Sequence, residues 1–316
     1  MRHGAPYKGS KNAIAPWVVE HLPPAETFVD LFAGGCAVTH AAMLSGKFER
    51  FIANDLGDAP SVFRDAINGE FDGYATVPTR EEFFASNDPA LRLMYSFGNN
   101  QSDYLWSREL EPVKVNATKM VIAPSVRERK AAYNAFMRAL RVYIETNNDM
   151  PDSDAKHDGD LQRLQRLQGL QGLQRLERLQ GLQGLQGLQG LERLEVSKLD
   201  YRRVGVPESA TVYADPPYRG TDCRAYGKHG TGFDFEAFDM WLSVVPFMVI
   251  VSEYTAPPGC VEVAAREKRV TSGTGNKVGG KSKAVEYLFV QERFADEYRE
   301  RMASGTTAPL FGTEED

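Results

Sequence analysis

A strand-like run, Thr211, Val212, Tyr213 and Ala214, leads directly into Asp215, Pro216, Pro217 and Tyr218. Two prolines fix φ and remove two backbone donors, so this turn is stiff and presents a carboxylate, the bare Pro216 carbonyl and an aromatic ring together. Such a set suits an exocyclic amine on a flat ring: the carboxylate and the carbonyl accept its two N–H bonds, and the Tyr218 ring stacks on it. A second turn with chemistry is Asp30, Leu31, Phe32, Ala33, Gly34 and Gly35. Glycines there let backbone amides approach a ligand closely. Asp55, placed 25 positions after Asp30, can accept hydrogen bonds from a ribose diol. The spacing is not the full GxGxxG, so a plain tight turn stays open, and no GKS or GKT follows to form a phosphate cradle.

Both turns need a sheet to hold them. Phe28 to Phe32 is an apolar run suited to a buried parallel strand. A helix over 37–45 follows, stopped by Gly46, and Phe51 to Ala53 return as a second strand ending in Asn54 and Asp55. Pro60 opens the next helix, with Val62, Phe63 and Ile67 at helical spacing. Further strands are expected over 211–214, over 247–251 ending at Ser252 and Glu253, and over 284–290. Strands alternating with helices predict an α/β fold, a doubly wound and mostly parallel sheet covered on two faces. Ser252, Glu253 and Tyr254 either line the edge of the pocket or simply start a loop.

The middle of the chain differs in character. Asn99 to Gln101 and Tyr104 to Trp106 read as irregular. Ser125 and Glu128 form a capping box for a helix carrying Arg127, Arg129, Lys130, Arg138 and Arg141 beside Tyr133, Phe136, Met137 and Leu140. It is an ordinary amphipathic surface helix or one that tracks phosphates. From Leu161 to Leu194, leucine recurs at every third position. Three residues turn an α-helix by about 300°, so no constant apolar stripe forms and a regular coiled coil is excluded. A small solenoid, a poorly packed helix and a tolerated low-complexity insertion remain.

Composition sets the limits. The 316 residues are 42% hydrophobic and 25% charged, an ordinary globular balance. No run of eighteen apolar residues occurs and the first residues lead into no signal-peptide core, so a cytoplasmic protein without a membrane span is expected. Cys36, Cys223 and Cys260 are too scattered for a zinc site or a disulfide framework, the histidines lack metal-ligand spacing, and His229 reads as a loop tip. A net charge of −6 means that nucleic-acid binding must rest on local patches. Arg266 to Lys283 is such a patch or a solvated face, and the glycine-rich stretch Thr271 to Gly280 within it suits a hairpin near DNA.

Taken in order, Tyr7 to Lys11, Phe28 to Gly35, Asn54-Asp55 and Asp215 to Tyr218 resemble the S-adenosylmethionine-dependent DNA adenine-N6 methyltransferases of the Dam type, the D12 class, and most of all versions carried by phages and prophages. The resemblance covers about 1–75 and 195–292, and 80–195 departs from the family pattern. It implies a class I methyltransferase-like fold and methyl transfer to N6 of a flipped-out adenine in double-stranded DNA, by a monomer without metal. It implies that Tyr7 and Lys11 border the cofactor, that Asp30, Phe32, Ala33 and Gly34 lie under its methionine part, and that Asp55 holds its ribose. Asp200 and Tyr201 would flank its adenine, and Asp215, Pro216, Pro217 and Tyr218 would grip the target base. The corresponding division is a cofactor part over 1–79, a helical target-recognition insertion over 80–148, an acidic linker and repeat over 149–195, a catalytic part over 196–292 and a tail over 293–316. Methylation of RNA or of a protein glutamine is the alternative, and a non-catalytic interaction protein built on the repeat is a third.

Overall fold

In the computed structural model the described residues are 3–5, 7, 9–68, 77–146, 193–219, 232–269 and 283–305. Contacts divide the chain into two compact units, one of 1–5, 9–64 and 190–316, the other of 6–8 and 65–189.

The first unit is built on a seven-stranded sheet. Its strands are β1 (Thr27–Asp30), β2 (Arg50–Asn54), β3 (Leu194–Ser197), β4 (Thr211–Ala214), β5 (Val249–Glu253), β6 (Cys260–Arg269) and β7 (Lys283–Gln291), in spatial order β3-β2-β1-β4-β5-β7-β6. The first five are parallel, and β7 runs antiparallel to both β5 and β6. The expected α/β architecture with a mostly parallel sheet is therefore present. β1 and β4 are buried throughout, as the continuous apolar runs require. Val29, Leu31, Val212, Ala214, Val249 and Val251 form the core with Phe238 and Leu242 of the helix Phe235–Val244.

Three elements were not legible in advance. β3 begins at Leu194, the last leucine of the repeat, which pairs with Phe51; the rest of that repeat lies outside the described residues, as do His229 and 270–282. The basic run read as a patch starts on the long edge strand β6, where Arg266 is exposed. In the segment expected to be a tail, Ala295–Ser304 is a helix whose Tyr298 hydroxyl donates to the His21 carbonyl at 2.9 Å and whose Arg301 donates to Thr211 Oγ1 at 2.9 Å. Tyr298 gives this polar-looking helix its buried anchor.

Helices α1 (Ala15–Glu20), α2 (Ala37–Ser45) and α3 (Ala59–Ile67) accompany β1 and β2. The second unit is helical: α4 (Arg80–Ala85), α5 (Pro89–Met94), α6 (Glu111–Ile122) and α7 (Val126–Thr146). Thr79 and Glu82 form a full capping box on α4, and Asp88 caps α5 through the N–H groups of Ala90 and Leu91. Tyr104 and Trp106, in the segment read as irregular, are buried, and the Tyr104 hydroxyl donates to the Pro78 carbonyl at 2.6 Å. α7 begins behind the predicted cap, Glu128 N donating to Ser125 Oγ at 3.2 Å, and buries Phe136 and Leu140 against Val113 of α6. Among the described residues no helix is long and apolar enough to cross a membrane.

Candidate active site

The strand order β3-β2-β1-β4-β5 reverses direction between β1 and β4, and in such sheets ligands bind outside the carboxyl ends of the strands at that reversal. Asp30 ends β1, and Asp215 follows the last residue of β4. Adjacent strands thus bring the glycine turn and the proline turn to the same edge.

The glycine turn is held from β2. Ala33 N donates to the Asn54 carbonyl at 2.8 Å, and Gly34, at φ +48°, donates its N–H to Asp55 Oδ2 at 2.9 Å. Asp55 Oδ1 accepts from Gly57 N at 2.7 Å, so each oxygen of the expected ribose acceptor already holds a backbone amide. Cys36 is buried and takes the left-handed conformation at φ +59°. From the N-terminus, Ala5 N donates to the Gly35 carbonyl at 2.7 Å and Gly4 N to His40 Nδ1 at 2.9 Å. Burial pushes His40 down to about 4, which keeps that imidazole neutral and able to accept.

Asp30 is 1% exposed. Thr39 donates to its Oδ2 at 2.8 Å, while Oδ1 has no hydrogen-bond partner. Burial raises its carboxyl to about 7, and the charges of Asp215 and Asp55 add to that.

Around the proline turn, Lys11 Nζ lies 2.8 Å from Asp215 Oδ1, 3.5 Å from Glu286 Oε1 and 4.3 Å from the Tyr218 ring centroid. The Tyr218 hydroxyl donates to Glu286 Oε1, and Ser252 Oγ donates to the same oxygen at 3.4 Å. Burial raises the Asp215 carboxyl and Lys11 opposes the rise. The Tyr218 ring, expected to stack on a base, is 7% exposed and meets Tyr254 edge-on at 4.5 Å. Glu253 is buried, accepts from Arg219 N at 2.8 Å and Tyr254 N at 2.6 Å, and so ties β5 to the chain just beyond Tyr218.

The remaining expected residues fall in three places. Phe32 and Tyr201 join an aromatic group, ring centroids 5.3 Å apart, with Phe238 5.5 Å and Trp241 5.0 Å from Tyr201. Asp200 caps the turn Tyr201–Arg203 and is held by Arg202, whose Nε and Nη2 donate at 2.8 and 2.7 Å. Tyr7 belongs to the second unit. Glu286 was missed, although a trace of it is visible: along β7 it shares alternation with Leu288 and Val290, a carboxylate at a core-facing position.

A mostly parallel sheet with a glycine turn and carboxylates at its point of reversal is an α/β arrangement suited to a nucleoside-type cofactor. Residues 7–146 match the model of the D12 class N6 adenine-specific DNA methyltransferase family. That match supports adenine-specific DNA methyltransferase activity with S-adenosylmethionine as the methyl donor. A search of curated proteins finds none that matches. The matched span answers the choice left open between DNA, RNA and protein amide, and over 80–146 it corrects the reading that 80–195 departs from the family pattern. Residues 80–146 belong to the match; their helices carry no fixed catalytic string, so motif spacing alone could not reveal it. The Asp215–Tyr218 corner lies beyond the matched span.

Proposed function

We propose that the adenine is flipped out of double-stranded DNA and received by Asp215, Pro216, Pro217 and Tyr218, in a class I methyltransferase-like arrangement. The observation that carries this reading is that Asp30 ends β1 and Asp215 directly follows the neighbouring strand β4 at the reversal of the sheet, the two strands pairing through Asp30 and Tyr213. In this reading Asp30, Phe32, Ala33 and Gly34 lie under the methionine part of the cofactor and Asp55 holds its ribose. Asp200 and Tyr201 flank its adenine, and Lys11 borders the site. The fit has support in Asp30 Oδ1, a buried oxygen lacking a hydrogen bond that a cationic amine would satisfy, and in the aromatic group around Tyr201 and Phe32.

When bound, S-adenosylmethionine supplies an electrophilic methyl group on a sulfonium. The residues of the chain align and polarise the acceptor. Adenine N6 is a weak nucleophile because its lone pair is delocalised into the ring. Hydrogen bonds from N6 to the Asp215 carboxylate and the Pro216 carbonyl favour the pyramidal, electron-rich nitrogen of the transition state. Unstacking the base costs a few kcal/mol, offset by contacts in the pocket and to phosphates.

The same reading takes 80–148 as the target-recognition region between the cofactor part, 1–79, and the catalytic part, 196–292, with 149–195 a linker and repeat and 293–316 an appendage. It takes the enzyme as a cytoplasmic monomer and, on the strength of the Leu-Gln repeat, as one of phage or prophage kind. The test is labelled-methyl incorporation into unmethylated genomic DNA by the wild type and by Asp215→Ala, with N6-methyladenine mapped in its sequence context. Loss of transfer in a folded Asp215→Ala variant is expected; full transfer would place the chemistry elsewhere.

A further inference from the structure

Glu286 sits near the middle of β7 and is 0% exposed. A carboxylate buried in that way costs several kcal/mol unless it is paired, so its partners indicate its task. Oε1 receives the Tyr218 and Ser252 hydroxyls and lies 3.5 Å from Lys11 Nζ, whereas Oε2 has no hydrogen-bond partner. One ammonium therefore stands between a fully buried carboxylate, Glu286, and a half-buried one, Asp215, and it stands closer to Asp215. This is the carboxylate assigned above to the adenine amino group. While Lys11 engages Asp215 Oδ1, it competes with the N6 hydrogens for that acceptor. Expelled altogether, it would leave Asp215 and Glu286 to repel each other in a medium of low dielectric.

We propose that Glu286 is a positioning residue for methyl transfer: it takes over Lys11 when the adenine amino group takes Asp215, and through the Tyr218 hydroxyl it fixes the ring of the proline turn. The inference rests on the reading of Asp215 and Tyr218 given above. A movement of a fraction of an ångström brings Lys11 Nζ within hydrogen-bond distance of Glu286, so the handover needs no backbone change. The titratable groups facing Asp215 are Lys11, Asp30 from β1, Tyr213 from β4, Tyr218, Glu253 and Tyr254 from β5, and Glu286 from β7. Of the negative charges among them, Glu286 is the one that raises the Asp215 carboxyl most.

The experiment compares Glu286→Gln, Glu286→Asp and Asp215→Asn with the wild type on unmethylated genomic DNA, following kcat and kcat/KM across pH together with thermal melting. Glu286→Gln preserves size and an acceptor for Tyr218 but removes the charge that receives Lys11. Its kcat should fall roughly ten- to a hundredfold, the worth of one charged hydrogen bond. The acid limb of its kcat/KM profile should move to lower pH, because Asp215 loses a repelling neighbour. Glu286→Asp keeps the charge but not the reach to Tyr218, so it should lower kcat and leave the limb in place. A wild-type kcat in Glu286→Gln, or a fall in kcat without movement of the limb, overturns the proposal. Should Glu286→Gln not fold, Glu286→Asp decides: a lowered kcat with an unmoved limb supports the handover, and a wild-type kcat refutes it. A fully active Asp215→Asn would instead remove the underlying reading of the corner, whatever Glu286 does.

Discussion

Gly34 donates its backbone N–H to Asp55 Oδ2 at 2.9 Å, so the carboxylate that follows β2 holds the turn that follows β1. Since Gly57 binds the other oxygen, Asp55 shapes the glycine turn through both of its oxygens. Asp55→Ala should therefore weaken S-adenosylmethionine binding by at least about tenfold, the equivalent of one or two lost charged hydrogen bonds. Asp55→Asn, which keeps one acceptor, should fall between Ala and wild type. Titration calorimetry measures both, and an Asn variant as weak as Ala would show that the charge, and not the turn, is what matters.

Asn54 is a buried clasp. Its Nδ2 donates to the carbonyls of Leu31 and Leu199 at 3.1 and 3.0 Å, and its Oδ1 accepts from Leu199 N and Ser197 Oγ at 3.0 and 2.8 Å. Asn54→Ala leaves several buried groups unpaired and should cost about 3 kcal/mol in chemical denaturation. Asn54→Asp should be at least as damaging, since a carboxylate cannot donate to the two carbonyls. An Asp variant as stable as wild type would contradict the clasp.

Gly4 packs where no side chain fits: at φ +72°, a Cβ would stand 2.3 Å from the Gly35 carbonyl oxygen. Gly4→Ala should push the N-terminal segment off the glycine turn, losing the bonds from Gly4 to His40 and from Ala5 to Gly35. We expect a loss of stability of about 1–3 kcal/mol, together with weaker cofactor binding, from strain and lost hydrogen bonds. Unchanged melting and affinity would show that the segment does not brace the turn.

Asp30 makes a pH signature. Its carboxyl is raised from 3.8 to about 7, so between those values the folded chain keeps a proton that the unfolded chain has released. Its contribution to stability is full below 3.8 and is lost as pH rises through about 7. Asp30→Asn should therefore melt higher than wild type above neutrality, with the advantage shrinking toward pH 5. Binding of the cationic cofactor should show the opposite dependence in the wild type, weakening as Asp30 takes up its proton below about 7. Calorimetric titrations at several pH values check this, and an affinity flat across neutrality would separate Asp30 from the cofactor's charge.

Local strings were readable wherever a chemical requirement compels residue type. Asp215 to Tyr218 and Asp30 to Gly35 announce turns because proline and glycine restrict or release φ, and the apolar runs before them announce buried strands. The edge elements were harder. β3 hides in the end of a leucine repeat and β6 in a basic run, because an edge strand needs only one partner and carries little pattern of its own. Read as the end of a strand starting at Phe247, Ser252 and Glu253 prove to be the last paired residues of β5, opposite Leu288 and Tyr287. The aromatic segment at Tyr104 and Trp106 lacked periodicity yet is buried, since irregular backbone can be packed where its polar groups find partners.

By itself the sequence determined the two turns, the parallel strands that end in them, and the chemistry each could offer, because those depend on neighbours along the chain. Only the tertiary structure decided that Lys11, Asp215, Tyr218 and Glu286 share one cluster, and that Asp55 braces Gly34. Those relations arise from strand order and register, which bring together residues up to hundreds of positions apart. A charge becomes a partner or a burden only once burial has removed the water that would screen it.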